Sequence, residues 1–294
     1  MTAFLQSLID AVSSGAVYGL AALGIALVFG VMRLANFAHG ELITASAYTL
    51  VLTWQWGAVI SILLSVVAAV LLALVMEFLV FRRLRTANPA TLLIASFGLS
   101  FLLQRVYESV FGNDVRVAAV APGLARAIDL GGVRVQALSA VAIVTAAVLL
   151  LLLRYFLQRT SLGLQVQAAS ADFLTARMLG VKANRVIAIT FGLSGLLAAA
   201  VAFTLTVRTG AVNSTFGVSI TVLSLVGAVI GGIDKLTGAL AGGFLVGFVL
   251  SQLTTWLPEG AANFRDTFVF VLVIVVLIVK PSGLLVGRAP VERA

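Results

Sequence analysis

The chain has 294 residues, 61% of them hydrophobic and only 10% charged, with a formal net charge of +8 and no cysteine. Soluble domains carry about 25% charged residues, so a soluble globular protein is excluded. The lack of cysteine excludes disulfides and thiolate metal sites, and fits a reducing compartment and a bacterial source.

Charges act as fences around apolar stretches. No Asp, Glu, Lys or Arg occurs in 11–32, 42–76, 86–104, 135–153, 186–207, 209–233 or 236–258, and a last apolar run spans 261–279. Runs of about 20 apolar residues match the thickness of a bilayer core. They are continuously apolar rather than alternating, which excludes a transmembrane β-barrel. The expectation is an all-α membrane protein, a polytopic helical bundle of about 8–9 membrane segments with glycine-interrupted helices. It forms one domain over 1–294, since the longest polar connections are 112–134 and 154–185.

In chain order, the first helix lacks Lys and Arg over its first 32 residues, so it is expected to be a membrane helix and not a cleavable signal peptide. Its glycines (Gly15, Gly19, Gly24, Gly30) have a counterpart near the other end in Gly227, Gly231, Gly232, Gly238, Gly242, Gly243 and Gly247. Small residues let helices approach closely in lipid; they also mark interrupted helices that line a pathway in inverted-repeat transporters. Both readings are open, and no residue-level repeat is evident. The polar break "NFAHGELITASAY" (36–48) follows, with the single histidine, His39, and the only charge between Arg33 and Glu77, Glu41. It reads either as a cytoplasmic-end turn, Glu41 pairing Arg33 or capping a helix from Leu42, or as a bend shaping a pathway, or as direct solute coordination. Residues 42–76 hold a short segment, a turn at Trp54–Gly57 and a full helix, and Glu77 is expected to pair with Arg82.

Basic residues gather at Arg82–Arg85, at Arg154, Arg159, Arg177, Lys182 and Arg185, and at Lys280, Arg288 and Arg293. The positive-inside rule makes these loops and the C-terminus cytoplasmic. Alternation then puts 112–134, 208–216 and 256–266 outside and Asp234–Lys235 inside. The basic charge is orientation, not a nucleic-acid surface. Within 159–185, Ser170 or Asp172 can cap a short helix. Phe173, Leu174, Met178 and Leu179 form its apolar stripe, Arg177 its polar face and Gly180 its left-handed stop, and Asn184 can cap the next helix. So short a helix is marginal in water and needs a surface, either the bilayer or a cytoplasmic motor protein.

Five stretches, 15–49, 77–104, 161–195, 227–247 and 264–294, together resemble the membrane permease of ABC importers for branched-chain amino acids, the H-type subunit, a family that includes urea and amide relatives. The resemblance implies a second homologous permease, two ATP-binding subunits and a periplasmic substrate-binding protein in a bacterial inner membrane. It also implies that Ser170–Ala183 docks on the ATPase. Departures are "RRLR" at 82–85 and Asp234–Lys235, where the family favours a proline and Gly-Ser.

No phosphate-loop motif and no catalytic or metal constellation is present, so the chain is expected not to be an enzyme and to hold no cofactor, with ATP and magnesium on partner subunits. The pathway candidates are the polar groups Ser14, Tyr18, Asn36, His39, Glu41, Thr44, Ser96, Ser194, Asn213, Ser219, Thr221 and Ser224. An ion-coupled secondary transporter is the competing class; charge-free span centres speak against it.

Overall fold

The computed structural model describes residues 2–280 apart from 86, 125, 131 and 132; Arg288 and Arg293 of the predicted cytoplasmic tail lie outside the described residues. The helices are α1 (Thr2–Met32), α2 (His39–Thr53), α3 (Ala58–Met76) continued through a π turn into α4 (Arg82–Leu84), α5 (Pro89–Phe111), α6 (Ala137–Arg159), α7 (Ser161–Ala171), α8 (Phe173–Met178), α9 (Ala183–Thr209), α10 (Val218–Gly231), α11 (Leu236–Trp256) and α12 (Arg265–Val279). Six of these are long and apolar enough to cross a membrane. The helices α2, α10 and α12 are shorter, at 15, 14 and 15 residues. Among the described residues, short strands lie in the connections between helices: β1 (Arg116–Val117) pairs with β4 (Ala211–Val212), and β2 (Ala127–Leu130) forms a hairpin with β3 (Val133–Gln136).

The two ends of the bundle carry different loops. At one end Arg33 pairs with Asp234, Arg85 donates to Asn184, and Ser170 packs under Gly30. At the other, Arg208 donates to Ser14, Ser214 to Glu108, and β1 meets β4. The loops predicted to be cytoplasmic thus share one end and those predicted to be external share the other.

Two blocks pack by one scheme with reversed direction. Helix α1 lies on α11 as α9 lies on α3; α2 packs on α3 as α10 packs on α11; α2 touches α5 as α10 touches α12; and α1 and α9 pack on each other. The segment α6–α8 joins the blocks. Where the sequence reading finds no residue repeat, the structure aligns one. Helix α1 ends at Arg33, in the left-handed region at φ 53°, and α9 ends at Gly210, at φ 64°. Three residues later come Asn36 and Asn213, then Gly40 and Gly217, then Ile43-Thr44 and Ile220-Thr221. The pattern Asn-x3-Gly-x2-Ile-Thr is too sparse to stand out without the fold to align it.

Glycine makes the close packing possible. A Cβ on Gly15 would come within 2.9 Å of the Phe244 carbonyl oxygen, and one on Gly195 within 2.8 Å of the Ala69 carbonyl. Gly231 and Gly238 place their backbones in direct contact, as do Gly227 and Gly242. In lipid, where apolar surface is no worse off outside than inside, such contacts supply the dispersion energy of association. The packing reading of the glycine stripes holds.

Candidate functional site: a half-helix crossing and a two-helix loop

After Met32 the chain does not leave the bundle. Arg33 reverses it, and residues 34–38 run back along α5, where Ser96 accepts from Phe37 N at 3.3 Å and the rings of Phe37 and Phe97 stack at 3.9 Å. Asn36 Oδ1 accepts from Ala38 N at 3.1 Å, and this turn launches α2 at His39, three residues earlier than the predicted Leu42. The His39 ring lies against Gly24, 2.8 Å from where a Cβ would stand. Gly24 is about 12 Å along α1 from Met32 at 1.5 Å per residue, so α2 starts deep inside the bundle. His39 Nδ1 and Ser194 Oγ are joined by a 3.1 Å hydrogen bond.

Helix α10 starts at the same depth from the opposite side. Gly40 and Gly217 are in backbone contact, and Thr44 Oγ1 accepts from Gly217 N at 3.0 Å while donating to Gly40 O at 3.1 Å. Its repeat partner Thr221 points its hydroxyl at Gly40, 2.8 Å from a Cβ position. Two half-helices therefore meet N-terminus to N-terminus, with the positive ends of both dipoles at one point. The residues that touch are the equivalent ones, as a two-fold axis through the crossing requires. The backbones leave no room between them for a solute.

Glu41 lies in the first turn of α2, where a carboxylate is favoured by the dipole. It does not pair with Arg33, whose partner is Asp234, because the reversal at Arg33 carries Glu41 into the bundle. Its Oε1 accepts from Ser100 Oγ at 2.7 Å and Gln104 Nε2 at 3.0 Å, and Tyr107 Oη donates to its backbone oxygen at 2.8 Å. Broken backbone and an acidic group at this depth are tolerated because protein surrounds them on every side. Ser100, Gln104 and Tyr107 are absent from the predicted set. Their signal is in the sequence, since Ser96, Ser100, Gln104 and Tyr107 recur at helical spacing along one face of α5.

The predicted pathway residues separate into three places. Asn36, His39, Glu41, Thr44, Ser96, Ser194, Thr221 and Ser224 are buried around the crossing. Ser14 and Tyr18 line a polar recess at the end predicted to be external. Asn213 sits in the turn before α10, and Ser219, on its first turn, is exposed. Glu77 is buried between two arginines, Arg82 at 3.1 Å and Arg85 at 3.4 Å, so the expected pair is a triad.

The loop predicted to be cytoplasmic contains two helices where the sequence suggests one. Asp172 breaks them, extended at φ −148°, and its carboxylate accepts from Leu174 N at 3.0 Å and Thr175 N at 3.1 Å. Asp172, and not Ser170, is the cap; Ser170 closes α7 by donating to Gln167 O at 2.9 Å. The Thr175 hydroxyl, which donates to Asp172 Oδ2 at 2.5 Å, and then these amide bonds hold the Asp172 carboxyl below its ordinary pKa. Gly180 stops α8 at φ +89° as expected. Asn184 does not cap α9; it accepts from Arg85 at 2.6 Å and ties the loop to the end of α4. Phe173 and Ala176 anchor α8 to the bundle, whereas Leu174, Met178 and Leu179 are 65%, 80% and 81% exposed. Arg177 is exposed beside them.

This architecture, two inverted helical blocks with a half-helix in each, defines a multi-pass membrane permease. The family described as branched-chain amino acid transport system, permease component, matches residues 7–279, and the chain belongs to it. It is 29% identical to the high-affinity branched-chain amino acid transport system permease protein BraD of Pseudomonas aeruginosa, across 99% of this chain and 98% of that protein. It is 28% identical to the corresponding LivH of Escherichia coli K12, across 99% and 97%. A shorter likeness, 35% over 34% of this chain and 30% of the relative, links it to the autoinducer 2 import system permease protein LsrC of Klebsiella pneumoniae. No solved structure matches the chain.

Proposed function

We propose that this permease carries branched-chain or related amino acids inward across the bacterial inner membrane as one half of a paired permease, driven by two ATP-binding subunits and fed by a periplasmic binding protein. The chain itself holds no cofactor; ATP and magnesium act on the partner subunits. Its C-terminus lies on the cytoplasmic side. The observation that carries this reading is the exposed apolar knob of Leu174, Met178 and Leu179 on α8. Three large apolar side chains facing water beside Arg177 are costly unless a partner covers them. Asp172 and Gly180 hold the knob in shape, and Phe173 and Ser170 seat it on the bundle. The backbone contact at Gly40 and Gly217 supports a pathway that runs between two permeases, not through the crossing of one.

The test is reconstitution with the partner subunits in liposomes. Leucine uptake should require internal ATP, and a set of urea and short amides should fail to compete. One observation favours a second reading, ion coupling: Glu41 is a buried carboxylate with Oε2 unpartnered. In that case a proton or sodium gradient alone would drive uptake without nucleotide, and the ATP-driven reading would be discarded.

A further inference from the structure

The external end of the bundle holds a recess of about 330 Å³ where α1, α6 and α9 diverge. Its polar groups are not those of a lipid-facing crevice. Asp10 on α1 and Arg208 at the end of α9 both line it. They are not paired with each other: Gln6 donates to Asp10 Oδ2 at 3.0 Å, and Arg208 Nη1 donates to Ser14 Oγ at 3.0 Å. A charge of each sign therefore faces one small cavity. Helix α6 begins at Ala137 on its rim, so the amide end of that helix adds a second anion-favouring feature beside Arg208. The rest of the wall mixes the hydroxyl and amide groups of Ser13, Tyr18, Gln136, Ser139 and Thr204 with an aliphatic strip of Val17, Leu138, Leu205 and Val207.

We infer that this recess is a receiving site for a zwitterionic α-amino acid with an aliphatic side chain. Arg208 takes the carboxylate, Asp10 the ammonium, and the valine and leucine wall the side chain. Separated opposite charges beside an aliphatic strip match that ligand class and no simple anion or cation, because each of those leaves one charge uncompensated. The inference rests on the transport reading for its direction, since the recess is at the external end, where a delivered solute arrives.

The test uses the full chain in lipid nanodiscs with radiolabelled leucine, displaced by leucinamide, which lacks the carboxylate, or 4-methylpentanoate, which lacks the ammonium. Each analogue should bind at least about tenfold more weakly than leucine, the cost of one lost charge-assisted contact. Arg208→Gln should weaken leucine about ten- to a hundredfold yet leave leucinamide unchanged, and Asp10→Asn should do the same with 4-methylpentanoate as the insensitive probe. Absence of displaceable leucine binding, equal displacement by all three compounds, or wild-type affinity in both variants overturns the site. In the assembled transporter, ATP-driven leucine uptake with an unchanged KM in both variants rejects the recess while leaving the transport reading intact. No ATP-driven uptake by the wild type rejects the transport reading instead.

Discussion

Adding one methyl group at Gly217 tests the half-helix crossing directly. A Cβ there would overlap the Gly40 carbonyl, and its counterpart on Gly40 would lie 2.7 Å from Gly217 O and 2.8 Å from Thr221 Oγ1. Neither neighbour is a flexible side chain, so a backbone must move. Overpacking of this kind costs about 1–3 kcal/mol. Gly217 has φ −83°, a conformation alanine adopts freely, so no dihedral strain confuses the result. Alanine also gains roughly 0.5–1 kcal/mol over glycine in chain entropy. The depth of the overlap with the Gly40 carbonyl puts Gly217 at the top of the overpacking range, so the net cost for Gly217→Ala is about 2–2.5 kcal/mol, which on the scale of soluble chains of 150–250 residues lowers the unfolding midpoint by about 4–10 °C. Gly98→Ala is the control: it lies on an exposed face of α5 with nothing within 4 Å of a Cβ, and should be neutral or slightly stabilising. The assay is thermal unfolding in nanodiscs, followed by fluorescence-detected size exclusion. Equal midpoints for Gly217→Ala and Gly98→Ala would refute the contact and, with it, the inverted pairing of the two blocks.

Three further outcomes follow from the geometry. Glu41→Ala strands the Ser100 and Gln104 donors and should cost about 1–3 kcal/mol, whereas Glu41→Gln keeps an acceptor and should cost less; unfolding midpoints that rank the other way would exclude the hydrogen-bonded role. Gly180→Val forces a β-branched residue to φ +89° and should abolish co-purification of the ATP-binding subunits without reducing membrane insertion; retained co-purification removes α8 from the docking surface. Asp172→Ala should raise hydrogen exchange in α8 relative to α9. Because hydrogen bonding lowers the Asp172 pKa in the folded state, its contribution is fully present above the ordinary carboxylate value of about 3.9 and is lost as pH falls through the folded value. Exchange in α8 relative to α9 should thus be flat from neutral pH into the mildly acid range and rise only in strong acid; a relative rise near neutral pH would contradict the cap.

Much of the fold is legible in the chain. The charge fences give the membrane helices, and the loops they bound reach the ends the basic residues predict. The turn at Trp54–Gly57 and the stop at Gly180 follow from local chemistry, since each needs a backbone geometry that glycine alone adopts cheaply: φ is +108° at Gly57 and +89° at Gly180. The predicted site is less legible. The single histidine and the isolated Glu41 stand out as polar groups in apolar sequence, but their partners Ser194, Ser100 and Gln104 lie 59 to 155 residues away. No local pattern fixes which faces of α2, α5 and α9 will meet. The same holds for Asn184, whose capping chemistry is plausible in isolation and is diverted by Arg85 arriving from another helix.

The sequence by itself determines that the chain is a membrane bundle and which loops share an end, because the cost of placing charge in lipid acts on each segment separately. It also determines the local devices of the α7–α8 loop, where cap and stop act within a few residues. Only the tertiary structure decides that the chain turns back at Arg33 and that α2 and α10 begin face to face at Gly40 and Gly217. It alone makes two sparse Asn-x3-Gly-x2-Ile-Thr stretches, 177 residues apart, equivalent. Those outcomes depend on close approach between backbones, and in lipid that is set by the fit of paired surfaces and not by the polarity of either one.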